Sequence, residues 1–330
     1  MNHQRQQLNP AEQDGPIAGP IASTTPAASA PVNGQSRPLP SGNSGAPCGT
    51  TGSAKRSVGQ RISASAIDVI SSRLSDRDRA ILRSVDQHQF LTVHHIAALH
   101  FDTIAPAARS RLTRRTLARL RDLRILGTLD RRIGGVRAGS HGLIYHVDVV
   151  GDRLRESRHR QGRLRYEPTT RFVSHRLAVA DAHVALIRAD RDGQLELVDS
   201  AVEPATWRRF TGIGAARRTL KPDLYAETAT TDDLVRAWFI EIDLGTEHLP
   251  TLLTKCREYE AYRHTGIEQD RDGAFPLVVW SLTHPDPATA DRRRQALTAA
   301  IAADPHLTPA LFRVIAPNEL VSLIHDGGVR

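Results

Sequence analysis

Acidic residues lie beside and within two short apolar segments in the second half of the sequence. Asp223 precedes one segment, and Glu241 and Asp243 lie inside the other, residues 237–244. Alternate residues of a strand share a face, so Glu241 and Asp243 are expected to point the same way. Carboxylates in a buried strand are costly unless they have a partner, and a hard divalent cation such as Mg²⁺ or Mn²⁺ prefers carboxylate oxygen. These residues therefore predict a metal site made of Asp223, Glu241 and Asp243.

The segments around the acids predict the geometry that such a site needs. Residues 228–233 are all polar or small, which favours a hairpin, and a hairpin would place Asp223 beside Glu241. After the second strand, apolar residues recur at helical spacing, so one face of a helix is expected to pack on the sheet. The alternative stays open that the hairpin is only structural and that arginine side chains neutralise its two acids.

A Pro-Asp pair ending at Asp223, followed by Glu241 on the next strand and then by a helix, resembles the PD-(D/E)XK nuclease core. The resemblance implies that Asp223 and Glu241 bind the metal and that a lysine positions the attacking water. Asp243 stands where that family has the lysine, which leaves Lys255 on the following helix, or Lys221 upstream, to supply the cation. The catalytic candidates are therefore Asp223, Glu241, Lys255 and Lys221.

Length and charge limit the class of protein. The 330 residues suggest two domains at about 150 residues per domain. The formal net charge of +8 predicts a polyanionic partner, most simply nucleic acid. The two cysteines, Cys48 and Cys256, indicate no disulfide framework.

Residues 1–60 have few large apolar side chains and predict a disordered tail. No apolar run reaches the roughly 18 residues that span a membrane, and no signal peptide is evident, so we expect a cytoplasmic protein without a membrane partner.

Residues 70–150 predict a winged helix-turn-helix domain. Ser75 and Thr92 are suitable N-caps for two helices, and a third helix is expected over about 105–126, with Gly127 ending it. A strand over residues 128–133, a glycine-rich loop and a returning strand over residues 143–150 are expected to follow. This element order is that of a winged helix-turn-helix, in which the third helix reads DNA.

The basic excess is confined to this part of the chain. Residues 76–165 hold 19 Arg against 9 acids, a net charge of +10, whereas residues 167–330 carry a net charge of −5. Residues 151–170 are polar and basic and predict a linker. An arginine-rich third helix favours binding to double-stranded DNA over a merely solvated helical surface. The candidate DNA contacts on the third helix and the wing loop are Arg109, Arg111, Arg114, Arg115, Arg119, Arg131, Arg132 and Arg137.

Residues 171–330 predict an α/β domain with a mixed sheet. The expected order is helix, three strands, helix, strand, helix and strand, which is the order of the PD-(D/E)XK core. The basic segment 207–221 is expected to be a loop, and residues 311–320 are expected to form the last strand. His175, at the start of the first helix, is either near the acids or only a helix-start residue.

The ordered part of the chain, roughly residues 75–325, resembles the replication-relaxation family of actinobacterial plasmids and integrative elements. The similar segments include LSDRDRAILRSVDQHQFLTVHHIAAL, SHRLAVADAHVAL, KPDLYAE, FIEIDLGTE and KCREYEAYR. The resemblance implies a role near replication or relaxation of a mobile element, with other replication or transfer proteins as candidate partners. Two functions remain open. One is a metal-dependent endonuclease targeted by its winged helix, and the other is a non-catalytic DNA-binding regulator or scaffold whose nuclease-like domain is inactive.

Overall fold

The computed structural model describes residues 62–129, 143–155, 168–229 and 234–328. Several predictions fall outside these ranges, namely the tail at residues 1–60, the wing residues Arg131, Arg132 and Arg137, and most of the linker.

Four helices form the first part of the described chain. They are α1 (Ala64–Ser72), α2 (Asp76–His88), α3 (Val93–His100) and α4 (Pro106–Asp122). The predicted N-caps of α2 and α3 are confirmed, because the Ser75 and Thr92 hydroxyls accept hydrogen bonds from the backbone N–H groups of Asp78 and His95, respectively. The side chains of Asp78 and His95 accept in turn from the cap backbones, so both helices begin with a capping box.

The end of α4 differs from the prediction. Its last residue is Asp122, and Arg124 just beyond it adopts a left-handed φ of 58°. Gly127, expected to end the helix, lies instead in the short strand β2 (Leu126–Thr128). A Cβ atom at Gly127 would lie 2.5 Å from the His146 ring, so the absence of a side chain permits a close approach between strands.

A small antiparallel sheet completes this part of the chain. Its strands are β1 (Leu91–Thr92), β2 and β3 (Ile144–Val147), in the order β1-β3-β2. The strand expected over residues 128–133 shares only Thr128 with β2, and residues 130–133 lie outside the described ranges. The strand expected over residues 143–150 is confirmed for Ile144–Val147 only. Strand β1 was not expected, because two residues are too few to show an alternating pattern. The helix α5 (Val149–Leu154) follows β3.

A five-stranded mixed sheet forms the second part, as the sequence predicts. Its strands are β4 (Glu196–Val202), β7 (Leu224–Ala229), β8 (Val235–Asp243), β9 (Leu277–Leu282) and β10 (Phe312–Ile315), in the order β10-β9-β8-β7-β4. The pairs β4–β7 and β7–β8 are antiparallel, and the pairs β8–β9 and β9–β10 are parallel.

Helices cover both faces of this sheet. They are α6 (Thr170–Arg191) and α10 (Leu320–His325) on one face, and α7 (Leu249–Arg263) and α9 (Pro287–Ala303) on the other, with α8 (Ile267–Asp272) following α7. The predicted alternation along β8 is confirmed, because Trp238 and Ile240 pack with α6 whereas Phe239 packs with α7. The predicted last strand is wrong in its second half, where the chain turns after Ile315 and α10 begins at Leu320.

Residues 207–221 form a two-stranded ribbon rather than the predicted loop. Strand β5 (Arg208–Thr211) pairs antiparallel with β6 (Arg217–Leu220). Phe210 and Leu220 are buried in the core on the α7 side of the sheet. An isolated strand pair is marginal in water, so this burial is what holds the ribbon in place.

Helix α6 joins the two parts of the described chain. Val173 on α6 forms a small buried cluster with Phe90 and Ile144, and His183 on α6 lies 2.9 Å from His88 on α2. Within the described ranges, no helix is both long enough and apolar enough to cross a membrane.

Candidate functional site

Strands β7 and β8 and helices α6 and α7 bring five polar side chains together. We define the acid cluster as His175, Asp223, Glu241, Lys255 and Tyr259. The antiparallel register of β7 and β8, continued one residue beyond β7, puts Asp223 opposite Glu241. Lys255 and Tyr259 lie one helical turn apart on α7, so both reach Glu241.

Asp223 is almost fully buried and both of its carboxylate oxygens have partners. It is 6 % exposed, its Oδ1 lies 3.0 Å from His175 Nε2, and its Oδ2 accepts a 2.8 Å hydrogen bond from the Ile242 backbone N–H. Although burial opposes ionisation, the bond to His175 and the charge of Lys255 hold the pKa of Asp223 below its ordinary value. The same contact raises the pKa of His175 despite burial, which favours a charged pair.

Glu241 is also buried and also has a donor at each oxygen. It is 1 % exposed, its Oε2 accepts from Lys255 Nζ at 2.5 Å, and its Oε1 accepts from the Tyr259 hydroxyl. Burial raises the pKa of Glu241 to about 8, against the opposing effect of Lys255. The pKa of Lys255 is raised although burial opposes it, because Glu241 and Asp223 both lie near the ammonium group. Lys255 is therefore a fixed cation between two acids.

Asp243 does not join the acid cluster. Its Oδ2 accepts a 2.6 Å hydrogen bond from Arg293 on α9, and its Oδ1 accepts from the backbone N–H groups of Thr246 and Glu247. These contacts tie the end of β8 to the turn that precedes α7. Asp243 therefore has an arginine partner, as expected if the hairpin is only structural and arginine side chains neutralise its acids.

The two candidate lysines occupy different places. Lys255 lies in the acid cluster, whereas Lys221 is exposed and its Nζ lies 4.6 Å from the centre of the Trp207 ring. Lys255 is thus the lysine that the fold brings to Asp223 and Glu241.

The acid cluster does not fit a preformed divalent metal site. All four carboxylate oxygens of Asp223 and Glu241 already lie at hydrogen-bonding distance from a protein group. A cation would have to displace Lys255 or His175 to reach them. Among the described residues, no group of three or more His, Cys, Asp and Glu side chains is placed to hold a metal ion.

A basic surface on α4 is the second candidate site. Arg111, Arg114 and Arg115 are exposed, and none of the three has an ion pair with a described residue. The opposite side of the helix carries the buried Leu117 and Leu120. We call Arg111, Arg114 and Arg115 the arginine face.

Two other predicted DNA contacts on α4 have structural partners. Arg109 donates to the carbonyl oxygens of Asp102 and Ile104, which fixes the loop before α4. Arg119 donates to Asp78 Oδ1 at 2.5 Å, which joins α4 to the capping box of α2. Among the described candidates, the arginine face is the set left with free guanidinium groups.

Some cluster residues were not singled out from the sequence. Tyr259 had a usable signal, since it lies four residues after Lys255 on a helix whose spacing was evident. The pairing of Arg293 with Asp243 had none, because 50 residues separate the two. His175, for which two interpretations were open, is in contact with Asp223.

The comparison with protein families finds a match. A family model described as replication-relaxation matches residues 82–278, which include α4, the ribbon and the acid cluster. No curated protein and no solved structure matches the chain. The family model spans more than half of the sequence and agrees with the resemblance noted from the segments above, so this chain belongs to the replication-relaxation family.

Proposed function

We propose that this protein binds double-stranded DNA through the arginine face of α4 and acts in the replication or relaxation of a plasmid. The observation that carries the proposal is the exposure of Arg111, Arg114 and Arg115 without an acidic partner among the described residues. Membership of the replication-relaxation family supports the biological setting. The net charge of +10 over residues 76–165 supports a polyanionic ligand.

The local architecture supports the same proposal. Helices α2, α3 and α4 followed by a small antiparallel sheet have the element order of a winged helix-turn-helix, whose third helix enters the major groove. In that arrangement the arginine face meets DNA while Leu117 and Leu120 face the protein core. Arginine binds phosphate oxygens through two parallel N–H donors, so the face supplies affinity whether or not it reads bases.

A triple substitution tests the proposal. Replacing Arg111, Arg114 and Arg115 with alanine should weaken binding of a duplex oligonucleotide about tenfold or more near 0.1 M salt. The slope of log K against log salt concentration should fall by about three, since each lost phosphate contact removes about one unit. Fluorescence anisotropy of a labelled duplex across a salt series measures both quantities.

The matched control removes three arginines from the second part of the chain. Arg188, Arg257 and Arg292 are exposed, and their replacement with alanine changes the net charge by the same amount. Duplex binding by this control should stay close to that of the wild type. Equal losses in the two variants would mean that net charge, not α4, determines binding, and unchanged binding by the arginine-face variant would reject the proposal.

The proposal assigns no strand cleavage to the acid cluster. The endonuclease alternative is favoured by the proximity of Asp223, Glu241 and Lys255. It is opposed by the protein donors that already lie at all four carboxylate oxygens. We therefore propose that the cluster joins β7 and β8 to α6 and α7 and gives the sheet a rigid scaffold.

A further inference from the structure

The ribbon formed by β5 and β6 has two unlike faces. Arg208 and Phe210 on β5 lie opposite Leu220 and Arg218 on β6, and Phe210 and Leu220 are buried in the core. Arg208 is also engaged there, since its guanidinium lies over the Tyr225 ring and donates to Glu268 at 2.7 Å. Apart from the exposed Arg218, the inner face of the ribbon is thus occupied by contacts within the fold.

The outer face of the ribbon is exposed and basic. Register places Arg209 opposite Thr219 and Thr211 opposite Arg217, and one residue beyond the paired strands Trp207 faces Lys221. All six of these residues are exposed. No acidic side chain lies among them, and Arg209, Arg217 and Lys221 form no ion pair with a described residue.

Trp207 is held in a fixed position while remaining accessible. Its indole N–H donates to Glu203 Oε1 at 2.9 Å, and the Lys221 ammonium lies 4.6 Å from its ring centre. The Thr206 hydroxyl donates to the Pro222 carbonyl at 2.5 Å, which ties the two ends of the ribbon together. The Trp207 side chain is nevertheless on the surface, with the residue 38 % exposed.

A cleft adjoins the ribbon at Trp207. Trp207 and Arg209 line one side of a cleft of about 960 Å³, and Arg79 and Arg83 of α2 line the other. The acids of this cleft are already paired, Glu203 with Arg176 and Asp86 with Arg155. The cleft therefore continues the positive surface of the ribbon.

We propose that the outer face of the ribbon is a second nucleic-acid site and that its ligand is single-stranded DNA. Arg209, Arg217 and Lys221 bind phosphates, the two threonine hydroxyls add hydrogen bonds, and an unpaired base stacks on Trp207. Aromatic side chains on a basic surface bind single strands because every unpaired base offers a flat face, whereas the bases of a duplex are already stacked on one another. This site is separate from the arginine face of α4.

The fluorescence of Trp207 tests the proposal directly. The chain has three tryptophans, and the other two, Trp238 and Trp280, are 0 % and 2 % exposed. Titrating the full-length protein with a single-stranded oligothymidylate should quench tryptophan emission saturably. Trp207→Phe should abolish most of the quenching while binding, read by anisotropy of a labelled oligonucleotide, stays near that of the wild type, since phenylalanine also stacks.

Further variants separate this site from α4. Trp207→Ala should weaken single-strand binding about tenfold, and the double variant Arg209→Ala with Arg217→Ala should lower the salt slope by about 1.4, at about 0.7 for each phosphate. The alanine variant of Arg111, Arg114 and Arg115 should weaken duplex binding about tenfold or more and keep the quenching by single strands. The proposal is overturned if Trp207→Ala and the double variant of Arg209 and Arg217 bind single strands as the wild type does. It is also overturned if an unlabelled duplex of equal length competes equally, or if polyglutamate or anionic vesicles produce the same quenching.

Discussion

At the level of single residues, Glu241 shows what determines the chemistry of the acid cluster. A buried carboxylate with a pKa near 8 is a common feature of catalytic sites. Here, however, Lys255 and Tyr259 donate to its two oxygens, and the neighbouring Asp223 is satisfied by His175 and the backbone. Every oxygen of the two buried carboxyl groups thus has a partner, and complete hydrogen bonding is a condition under which burial of ionisable groups is tolerated.

The first prediction concerns Glu241 and divalent metal. Millimolar Mg²⁺ or Mn²⁺ should leave the Tm of the wild type unchanged, because the acid cluster offers no preformed site through which a metal could stabilise the folded state by mass action. Supercoiled plasmid should remain intact under the same conditions. Above pH 8, where Glu241 is ionised, the nearly isosteric Glu241→Gln should lower the free energy of unfolding by about 2 kcal/mol, since Lys255 loses its ionic partner. Thermal unfolding of the wild type and of Glu241→Gln, with and without metal, measures the Tm and the loss of stability. Gel electrophoresis of the plasmid shows whether it is cleaved.

The opposite outcome has a clear signature. A rise in Tm with Mg²⁺ or Mn²⁺ that disappears in Glu241→Gln, together with cleavage of the plasmid by the wild type, would establish the endonuclease alternative and contradict the scaffold proposal.

At the level of elements, α4 carries two kinds of arginine that the sequence does not distinguish. Arg119 pairs with Asp78, whose own side chain closes the capping box of α2. Although burial opposes it, the contacts with Arg119 and Ser75 keep the pKa of Asp78 below its ordinary value. The arginine face, in contrast, makes no such contact among the described residues. Arg119 thus anchors α4 to α2, whereas the arginine face of the same helix is exposed to solvent.

This division predicts different effects for neighbouring substitutions. Arg119→Ala should lower the free energy of unfolding by about 1 kcal/mol, a modest value because the arginine is nearly half exposed. Arg115→Ala should change stability by less than about 0.5 kcal/mol while weakening duplex binding. Urea denaturation and anisotropy measured on both variants check the pair. The division is wrong if the two variants lose the same stability or if Arg119→Ala alone weakens binding.

At the level of the whole molecule, a chain of buried histidines links the two parts of the described structure. His88 on α2 lies 2.9 Å from His183 on α6, and His183 lies 2.8 Å from the Ser200 hydroxyl on β4. Burial lowers the pKa of His88 to about 4 and that of His183 to about 3, so both are neutral in the folded protein at neutral pH. The contact between the two parts therefore depends on uncharged imidazoles.

The pH dependence of stability follows from these pKa values. In the unfolded chain a histidine gains a proton near pH 6.5, whereas the folded chain resists protonation until about pH 4 or below. The unfolded state therefore binds more protons in this window, and the free energy of unfolding should fall as pH drops below 6.5. The slope should reach up to about 1.4 kcal/mol per pH unit for each such histidine. His100, whose pKa burial lowers to about 4, adds to the same trend.

Single substitutions identify the source of that slope. His183→Gln should reduce the fall in the free energy of unfolding between pH 6.5 and 5 by about the contribution of one histidine. His94→Gln, at an exposed position, should leave that fall unchanged. Chemical denaturation at several pH values gives the comparison, and an unchanged slope in His183→Gln would show that this contact does not carry the effect.

Some features of this protein follow from short-range rules that a sequence displays. The hydroxyls of Ser75 and Thr92 cap their helices through bonds that reach only three residues along the chain. Alternation along β8 places Trp238 and Phe239 on opposite faces whatever the rest of the chain does. The sequence does not predict the ribbon, because its apolar residues are too few to form an alternating strand pattern. Only the tertiary structure shows that Phe210 and Leu220 are buried in the core.

The partners of the charged side chains were decided by packing. Arg119 meets Asp78 across 41 residues, and Arg293 meets Asp243 across 50. Lys255 rather than Lys221 reaches Glu241 because α7 packs over β8, whereas Lys221 lies on the ribbon over Trp207. A charged side chain has many oppositely charged candidate partners in the sequence, and the energies of these ion pairs are similar. The choice among them depends on which surfaces the fold brings within a few ångströms, and no local spacing rule contains that information.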